Sequence, residues 1–424
     1  MSGTCLRTLR NVLKNIAVIA YHSSPLVEPG SGDSGGMTIY VRELAAASAR
    51  LGVRTDIFTR AQGSARRITE LSNGVRVIAI EAGPNAPLGK EELSVHVDEF
   101  VDGVRAFSVA QRIAYDLVHS HYWQSGLVAR SLTEAWDVPL VHSHHTLGQV
   151  KNQNLAPGDA LEPPSRLRGE AEVNLAADVL IASTDDEWEH LSCLYGVSHD
   201  ALKIIHPGVD HELFHPGDRP AARAELSLGD ELVVLYVGRI QPLKGLELAI
   251  RAIGELAGSM QKAVRFLVVG GASGRGGDGE ITRLNRLVAD LHLGDVIRFE
   301  GAQPHDRLPV FYRAADALVV CSHSESFGLA ALEAHACGTP VVGTAVGGLS
   351  YIVVDGVSGF LIDTRDPSVF ALRLRDVLDP KTSGGFRESA SRSAVSFSWD
   401  RCAAQFFQLY DCLVRERSPE ACTC

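Results

Sequence analysis

Residues 321–349 read CSHSESFGLAALEAHACGTPVVGTAVGGL, and the fold is decided there. The apolar run Ala317 to Val320 just before it reads as the end of a buried strand. Glu325 and Glu333 follow, with Ser326, Phe327 and Gly328 between them. A helix beginning near Phe327 would carry Glu333 in its second turn and leave Glu325 in the preceding loop. The N–H groups of Gly328 and Leu329 would then lack intrahelical acceptors and suit an anionic group. One carboxylate from the loop and one from the helix can both face that point, where they would accept from sugar and ribose hydroxyls. Gly338, Thr339 and Pro340 end the helix, Val341 and Val342 open another strand, and Gly347 with Gly348 turns the chain sharply. An ordinary αβ unit with a polar first turn would explain either glutamate alone. It does not explain the whole stretch.

Working outward through the second half, the same grammar recurs. Leu232 to Val237 is a strand that runs into Gly238–Gly245, GRIQPLKG, so Arg239 and Lys244 are presented at its end. Phe266 to Gly271 is the next strand, and its glycine turn at Gly271 should approach a nucleotide; Val296 to Glu300 should edge a base pocket. The GRGGDG run beginning at Gly274 reads as a flexible loop and not as a dinucleotide fingerprint. Upstream, the Pro-Gly break in His206–Asp210 and the Pro-, Gly- and charge-rich region Asp210 to Gly229 form a linker. The acids Asp185, Asp186 and Glu187 could pass for a metal-binding pair. Thr184 before them makes an N-cap with acids in the first helical turn the better reading. Ser398 to Arg417 reads as an amphipathic helix with Trp399, Phe406, Phe407, Leu409 and Leu413 on its apolar side.

The first half also alternates. Ile16 to Tyr21 is a strand, a polar loop holds Gly35 and Gly36, and Thr38 to Leu51 is a helix. That order presents backbone N–H groups to a diphosphate at the carboxyl end of a strand. Further strands fall near Thr55–Thr59, Val75–Ile80, Leu117–Ser120 and Pro139–Ser143, which argues a parallel sheet covered by helices on both faces. Two histidine clusters follow, His119 with His121, and His142 with His144 and His145. Alternate strand residues face opposite ways and no carboxylate stands at ligand spacing, so a metal is not expected. His145, just past a strand's carboxyl end, is the best placed to face a cleft, and general-base catalysis is the obvious first thought for it.

Composition bounds the rest. A chain of 424 residues suggests two domains, with 45% hydrophobic and 21% charged residues, an ordinary globular mixture. A net charge of −11 argues against a general nucleic-acid surface. The basic opening precedes an apolar run, Ile16 to Ala20, too short for a signal core, and no stretch reaches the roughly 20 apolar residues of a membrane span. Eight scattered cysteines lack metal spacing. Cys193, Cys321, Cys337 and Cys402 read as reduced core residues and Cys422 with Cys424 as an incidental pair in a polar tail, so a cytoplasmic setting is expected.

The Glu325–Glu333 pair, spaced Glu-x7-Glu around SFGLAAL, resembles the signature of retaining GT-B glycosyltransferases of glycosyltransferase family 4. HSSPL (22–26), GDSGGM (32–37), HSHYW (119–123), HTL with VKN (145–152) and HPGVD (206–210) are similar to one branch of it. That branch holds the inositol-3-phosphate N-acetylglucosaminyltransferases that begin mycothiol synthesis, and the similarity runs from about Ile16 to Trp399.

The resemblance implies two doubly wound Rossmann-like α/β domains facing across a cleft. Residues 1–208 would be the acceptor half, 209–396 the nucleotide-sugar half, and 397–424 a helix crossing back to the first domain. It implies a nucleoside-diphosphate sugar as co-substrate, UDP-GlcNAc by preference, with no metal or other cofactor, and a homodimer; charge and hydropathy add that no nucleic-acid or membrane partner is expected. Glu325 would lie near the transferred sugar and Glu333 would hold the ribose. Arg239 and Lys244 would bind the diphosphate, His145 the donor sugar, and Gly35, Gly36, Gly271, Phe327, Gly328 and Leu329 would complete the donor site. Lys90, Tyr122, Thr146 and Arg166 would hold the phosphate of 1D-myo-inositol 3-phosphate, two cations and two hydroxyls making a sound anion clamp.

Where the branch has an inositol-contacting asparagine this chain has Thr38, and the loop Ala82 to Leu88 lacks an expected aromatic residue. These departures bear on the acceptor alone. They admit a specialised-metabolism sibling that joins an activated sugar to a small thiol such as ergothioneine, as in lincosamide assembly. A phosphorylase would need a lysine-bound pyridoxal phosphate, for which no motif is present. A non-catalytic sugar-nucleotide sensor could dispense with Glu325 or His145, and both are here.

Overall fold

The computed structural model describes residues 13–30, 34–63, 66–157, 159–272 and 277–417. The basic opening, the Cys422–Cys424 pair, residues 32–33 of the first glycine loop and residues 273–276 after Gly271 lie outside the described residues.

Two sheets are present. The first has strands β1 (Asn15–Ile19), β2 (Arg54–Arg60), β3 (Ile68–Ser72), β4 (Val75–Ile80), β5 (Leu117–His121), β6 (Leu140–Ser143), β7 (Val179–Ala182) and β8 (Leu202–Ile204), ordered β3-β4-β2-β1-β5-β6-β7-β8. All its pairings are parallel except β3 with β4, a hairpin whose first strand was not among those expected from the sequence. The second has β9 (Leu232–Val237), β10 (Val264–Val269), β11 (Ile297–Gly301), β12 (Ala317–Val320), β13 (Val341–Thr344) and β14 (Gly359–Ile362), all parallel, ordered β11-β10-β9-β12-β13-β14. Strands covered on both faces need near-continuous apolar runs, and LVVLYV and VRFLVV in β9 and β10 supply them.

Each sheet has a hydrophobic core on either face. One core of the second sheet gathers Val234, Ile250, Phe266 and Phe370, and the other gathers Leu235, Phe311, Leu318 and Leu332. One face of the first sheet buries Tyr21, Phe58, Phe100 and Leu132. Its other face takes Trp399, Cys402, Phe406 and Tyr410 from the chain's last described helix, Trp399–Arg417, alongside Ile16, Val41 and Ile57. Tyr410 O–H sits 2.7 Å from His119 Nδ1, a buried polar tie between that helix and β5.

The chain therefore crosses between sheets twice, near residue 208 and near residue 398. Val209 bridges Ser398 there, and a Cβ on Gly208 would overlap the Ser398–Trp399 backbone. The crossing needs a glycine.

Strand order reverses beside β1 in the first sheet (β2 on one side, β5 on the other) and beside β9 in the second (β10 and β12). Such switch points open a crevice at the carboxyl ends of strands, where ligands of open α/β sheets bind. The loops after β1, β5, β9 and β12 meet across one gap.

Candidate active site

That gap is a cavity of about 540 Å³ lined from both halves. From the second half come Arg239, Lys244, Ser322, Glu325, Phe327, Gly328, Leu329 and Glu333; from the first come Gly35, Gly36, Lys90, Tyr122, His145 and Thr146.

The loop after β12 is built on glycines. Gly328 has φ +101 and sits as the cap of the helix Leu329–Ala336, so the helix begins two residues later than the sequence suggested. A left-handed residue cannot continue a right-handed turn, and this is what delays it. Gly347 has φ +49 and packs on the Glu325 carbonyl, and Gly348 donates its N–H to that same carbonyl at 3.2 Å. A Cβ on Gly347 would overlap the Glu325 oxygen. The sharp turn expected at Gly347–Gly348 is thus the clamp that fixes the Glu325 backbone.

Glu325 Oε2 accepts from Lys244 Nζ at 2.6 Å and from Ser322 Oγ at 2.9 Å, and the two charged side chains are 16% and 22% exposed. Lys244 arrives from a single 3-10 turn, Pro242–Lys244, capped by Gly245 at φ +66. Arg239 follows β9, its carbonyl accepting from Tyr236 O–H at 3.0 Å. Gly35 faces it across the gap: a Cβ there would lie 3.3 Å from Arg239 Nε. Any side chain at 35 would crowd the guanidinium.

Glu333 is buried. Its Oε1 pairs with His305 Nε2 at 2.7 Å and its Oε2 accepts from Tyr312 O–H at 2.9 Å. A carboxylate oxygen has a second lone pair, so each can still accept from a ligand hydroxyl.

His145 adopts φ +61, an uncommon backbone for a side-chain-bearing residue. Its carbonyl accepts from Ser326 Oγ of the opposite half, and its Nε2 lies 2.9 Å from His121 Nδ1. Tyr40 stands edge-on to the ring at 4.9 Å. Burial, with His144 adding to it, pushes the His145 pKa down to about 3. A base that weak at neutral pH is poorly suited to general-base work. A neutral ring whose Nε2 is already engaged has Nδ1 left for a hydrogen bond.

The other histidines of the two clusters are held by neighbouring polar side chains: His119 Nε2 by Ser143 Oγ at 3.0 Å, His142 Nδ1 by Ser120 Oγ at 2.7 Å, His144 Nε2 by Asn174 Oδ1 at 2.6 Å. Among the described residues no group of three or more His, Cys, Asp or Glu side chains could hold a metal ion.

The expected acceptor clamp is assembled only in part. Lys90 Nζ lies 5.5 Å from the Tyr122 ring centre, and Thr146 is beside them on the cavity wall. Arg166 does not line the cavity. Its guanidinium, 5.1 Å from the Tyr122 ring centre, is spent on Glu170 Oε1 (2.7 Å), Glu162 Oε2 (3.0 Å) and the carbonyl and hydroxyl of Thr146 (2.9 and 3.0 Å). Burial disfavours its charge, but Tyr122, Glu170 and Glu162 together hold it charged. It orients Thr146 and stands beneath the wall.

Thr38 is also off the cavity, buried, with its hydroxyl 3.3 Å from Ser23 Oγ and 3.0 Å from Ser34 Oγ. Gly271 touches the first half instead: a Cβ on it would lie 2.8 Å from Gly30 O, while Gly270 lines the cavity.

Several lining residues had no role in the sequence reading. His22 packs on Tyr122 with ring centres 4.5 Å apart, and Lys151 reaches the wall while paired with Glu162. Lys151 lay inside a quoted motif, which was the available signal. Thr184 caps its helix as expected, accepting from Glu187 N–H at 3.1 Å. Cys193, expected in a core, is exposed, because it falls on the solvent side of the helix Asp185–Tyr195. No described helix is long and apolar enough to cross a membrane.

Comparison with known proteins agrees with this architecture. Residues 35–208 match the family described as "Glycosyl transferase 4-like domain" and residues 218–394 match "Glycosyl transferases group 1". The chain is 44% identical over 414 residues to the D-inositol 3-phosphate glycosyltransferase of Acidothermus cellulolyticus, covering 96% of this chain and 92% of that protein. It is 45% identical over 389 residues to the Mycolicibacterium smegmatis protein of the same name, covering 91% and 88%. Among solved structures, sucrose-phosphate synthase from Thermosynechococcus elongatus superposes with a TM-score of 0.87 at 34% identity, covering 94% of this chain and 99% of that one. Anabaena HepE, solved with UDP-glucose, shares the fold at a TM-score of 0.75 and 20% identity, covering 94% and 100%. With two Rossmann-like sheets facing across one cleft and relatives of this identity over nearly its whole length, the chain belongs to the GT-B glycosyltransferases, beside the bacterial D-inositol 3-phosphate glycosyltransferases.

Proposed function

We propose that this enzyme transfers a sugar, with retention at the anomeric carbon, from a nucleoside-diphosphate sugar to 1D-myo-inositol 3-phosphate, with UDP-GlcNAc as donor. The observation that carries the reading is the joint lining of one cavity by a cation and carboxylate set from the second half and a Lys90–Tyr122–Thr146 set from the first. In this reading residues 1–208 bind acceptor, 209–396 bind donor, and 397–424 carry the helix that packs back on the first sheet. The protein would be a homodimer, which light scattering would read.

The chemistry follows from the side chains present. Arg239 and Lys244 hold the diphosphate and neutralise the charge that grows on it as the glycosidic bond breaks. Glu325, 2.6 Å from Lys244, lies where it can steady the sugar as positive charge develops at its anomeric carbon. Glu333 accepts from the ribose hydroxyls. His145 donates or accepts one hydrogen bond to the donor sugar as a neutral ring. No side chain is assigned as covalent nucleophile. The acceptor hydroxyl attacks from the leaving group's own face, forming the new C–O bond as the C–O bond to phosphate breaks, and its proton passes to the departing phosphate oxygen. Both halves touch across the cleft, through Ser326 to His145 and Tyr351 to Asp185 (2.6 Å), which favours a water-poor site and limits donor hydrolysis.

A second reading has one specific support. Position 38 presents nothing to the cavity, and Arg166 is saturated by Glu162 and Glu170. An acceptor without phosphate, such as a small thiol, would not need them. Product mass spectrometry after incubation with mixed UDP- and GDP-sugars and both inositol 3-phosphate and ergothioneine separates the two. N-acetylglucosaminyl-inositol phosphate supports the first reading; a thioglycoside with inositol phosphate untouched overturns it in favour of the second. Nucleotide binding without any product would leave a sugar-nucleotide sensor.

A further inference from the structure

His305 stands between Glu333 and the opposite half of the molecule. Its Nε2 is 2.7 Å from Glu333 Oε1, and its Nδ1 is 3.1 Å from Nη2 of Arg42, on the first-half helix Gly36–Arg50. The ring is 5% exposed and rests against Phe214 with centres 5.1 Å apart. Arg42 is also held by its neighbour Glu43 at 3.1 Å, and its side chain is 24% exposed.

With the ring neutral, the donors and acceptors allow one arrangement. A guanidinium can only donate, so His305 Nδ1 must accept from it. The proton of the neutral ring is then on Nε2, and it is donated to Glu333. One imidazole thus connects an arginine of one half to the carboxylate proposed to hold the ribose in the other. If the cleft opened, Arg42 would leave Nδ1, and Glu333 would lose the polarising cation behind its partner.

We infer that His305 is a positioning residue that couples nucleotide capture by Glu333 to closure of the cleft through Arg42. The inference rests on the reading of Glu333 as the ribose ligand. Coupling of this kind is reciprocal: what favours closure tightens nucleotide binding by the same factor.

The test uses the full-length enzyme and calorimetric titration with UDP and with GDP, taking whichever binds more tightly. His305→Leu keeps the volume and removes both hydrogen bonds, and should weaken binding roughly tenfold. His305→Gln offers one donor and one acceptor and should restore most of that loss, which a packing role would not. Arg42→Met, in the other half, should weaken binding several-fold. The double variant Arg42→Met/His305→Leu should bind no more weakly than His305→Leu alone, and nucleotide-induced compaction in small-angle scattering should be lost in both single variants.

Additive losses in the double variant, or full-strength binding by Arg42→Met with compaction intact, would overturn the coupling even if His305→Leu proved too unstable to purify. Glu333→Gln separates the two claims. Weakened binding there with none in the Arg42 or His305 variants sinks only the coupling. Unchanged binding in Glu333→Gln, or no binding of either nucleotide by the wild type, sinks the ribose reading and the coupling with it.

Discussion

Replacing Glu325 with Gln should move two quantities in opposite directions. The carboxylate is 2.6 Å from Lys244 Nζ and 2.9 Å from Ser322 Oγ, and both members of the ion pair are mostly buried. Two unit charges about 4 Å apart at an effective dielectric of ~20 attract by about 4 kcal/mol before desolvation is charged against them. A hydrogen bond to a charged group nets about 1.5–3 kcal/mol. When a diphosphate arrives at Lys244 it must share that ammonium with Glu325. Gln keeps the shape and can still accept from Ser322, but removes the competing charge. Nucleoside diphosphate should therefore bind more tightly by about 1–2 kcal/mol, roughly 5–30-fold. Turnover should fall, because the charge facing the developing oxocarbenium-like sugar is gone. Losing one such electrostatic contact costs about 10²–10³ in rate. Calorimetry with UDP and a single-turnover assay read the two effects separately. Weaker UDP binding with unchanged turnover would refute the placement of Glu325 between the ammonium and the sugar.

Gly347→Ala should unfold at lower urea and lose donor binding, since the new Cβ overlaps the Glu325 carbonyl at a residue with φ +49. Gly356→Ala, also left-handed (φ +71) but with open space around it, should cost only about 1 kcal/mol, so equal losses in the two variants would argue against the clamp. Stability should fall as pH drops from 7 towards 5. Burial lowers the pKa of His119 and His145 to about 3 and of His335 to about 4, and lowers His121, His142 and His144 as well. These rings stay neutral in the folded protein, while the unfolded chain takes up their protons as pH falls through about 6.5. The unfolded state binding more protons means stability lost on acidification. Glu187, raised by burial to about 7, and His305, whose burial is outweighed by the charge of Glu333, oppose this in part. A thermal midpoint that is flat or rising between pH 7 and 5 would contradict the sum.

The fold was legible because its signals are local. Apolar runs such as those of β9 and β10, each followed by a glycine-bearing loop, specify buried parallel strands with ligand loops at their ends. Glu325, Glu333, Arg239 and Lys244 were legible for the same reason: Arg239 and Lys244 lie in the loop after β9, Glu325 in the loop after β12 and Glu333 on the helix that this loop leads into. What escaped depends on contacts between distant segments. Arg42 and His305 look like ordinary helix and turn residues until two halves are folded against each other. Arg166 matched a motif, but whether its guanidinium faces a ligand is decided by Glu170, one turn further along the helix Pro164–Ala176, and Glu162, in the loop just before it. The spacing i, i+4 was visible; the burial that makes those carboxylates its partners was not. Thr38 was similarly decided by Ser23 and Ser34, and the delayed helix start by the left-handed backbone of Gly328.

The most direct test of the proposed reaction is the structure of its product. Incubation with UDP-GlcNAc and 1D-myo-inositol 3-phosphate, followed by proton NMR of the purified product, reads both the linkage and the anomeric configuration. Retention of the α configuration of UDP-GlcNAc gives an α-linked N-acetylglucosaminyl-inositol phosphate, with the small anomeric coupling of an axial linkage. A β-linked product, or release of free N-acetylglucosamine with the inositol phosphate unchanged, would contradict it.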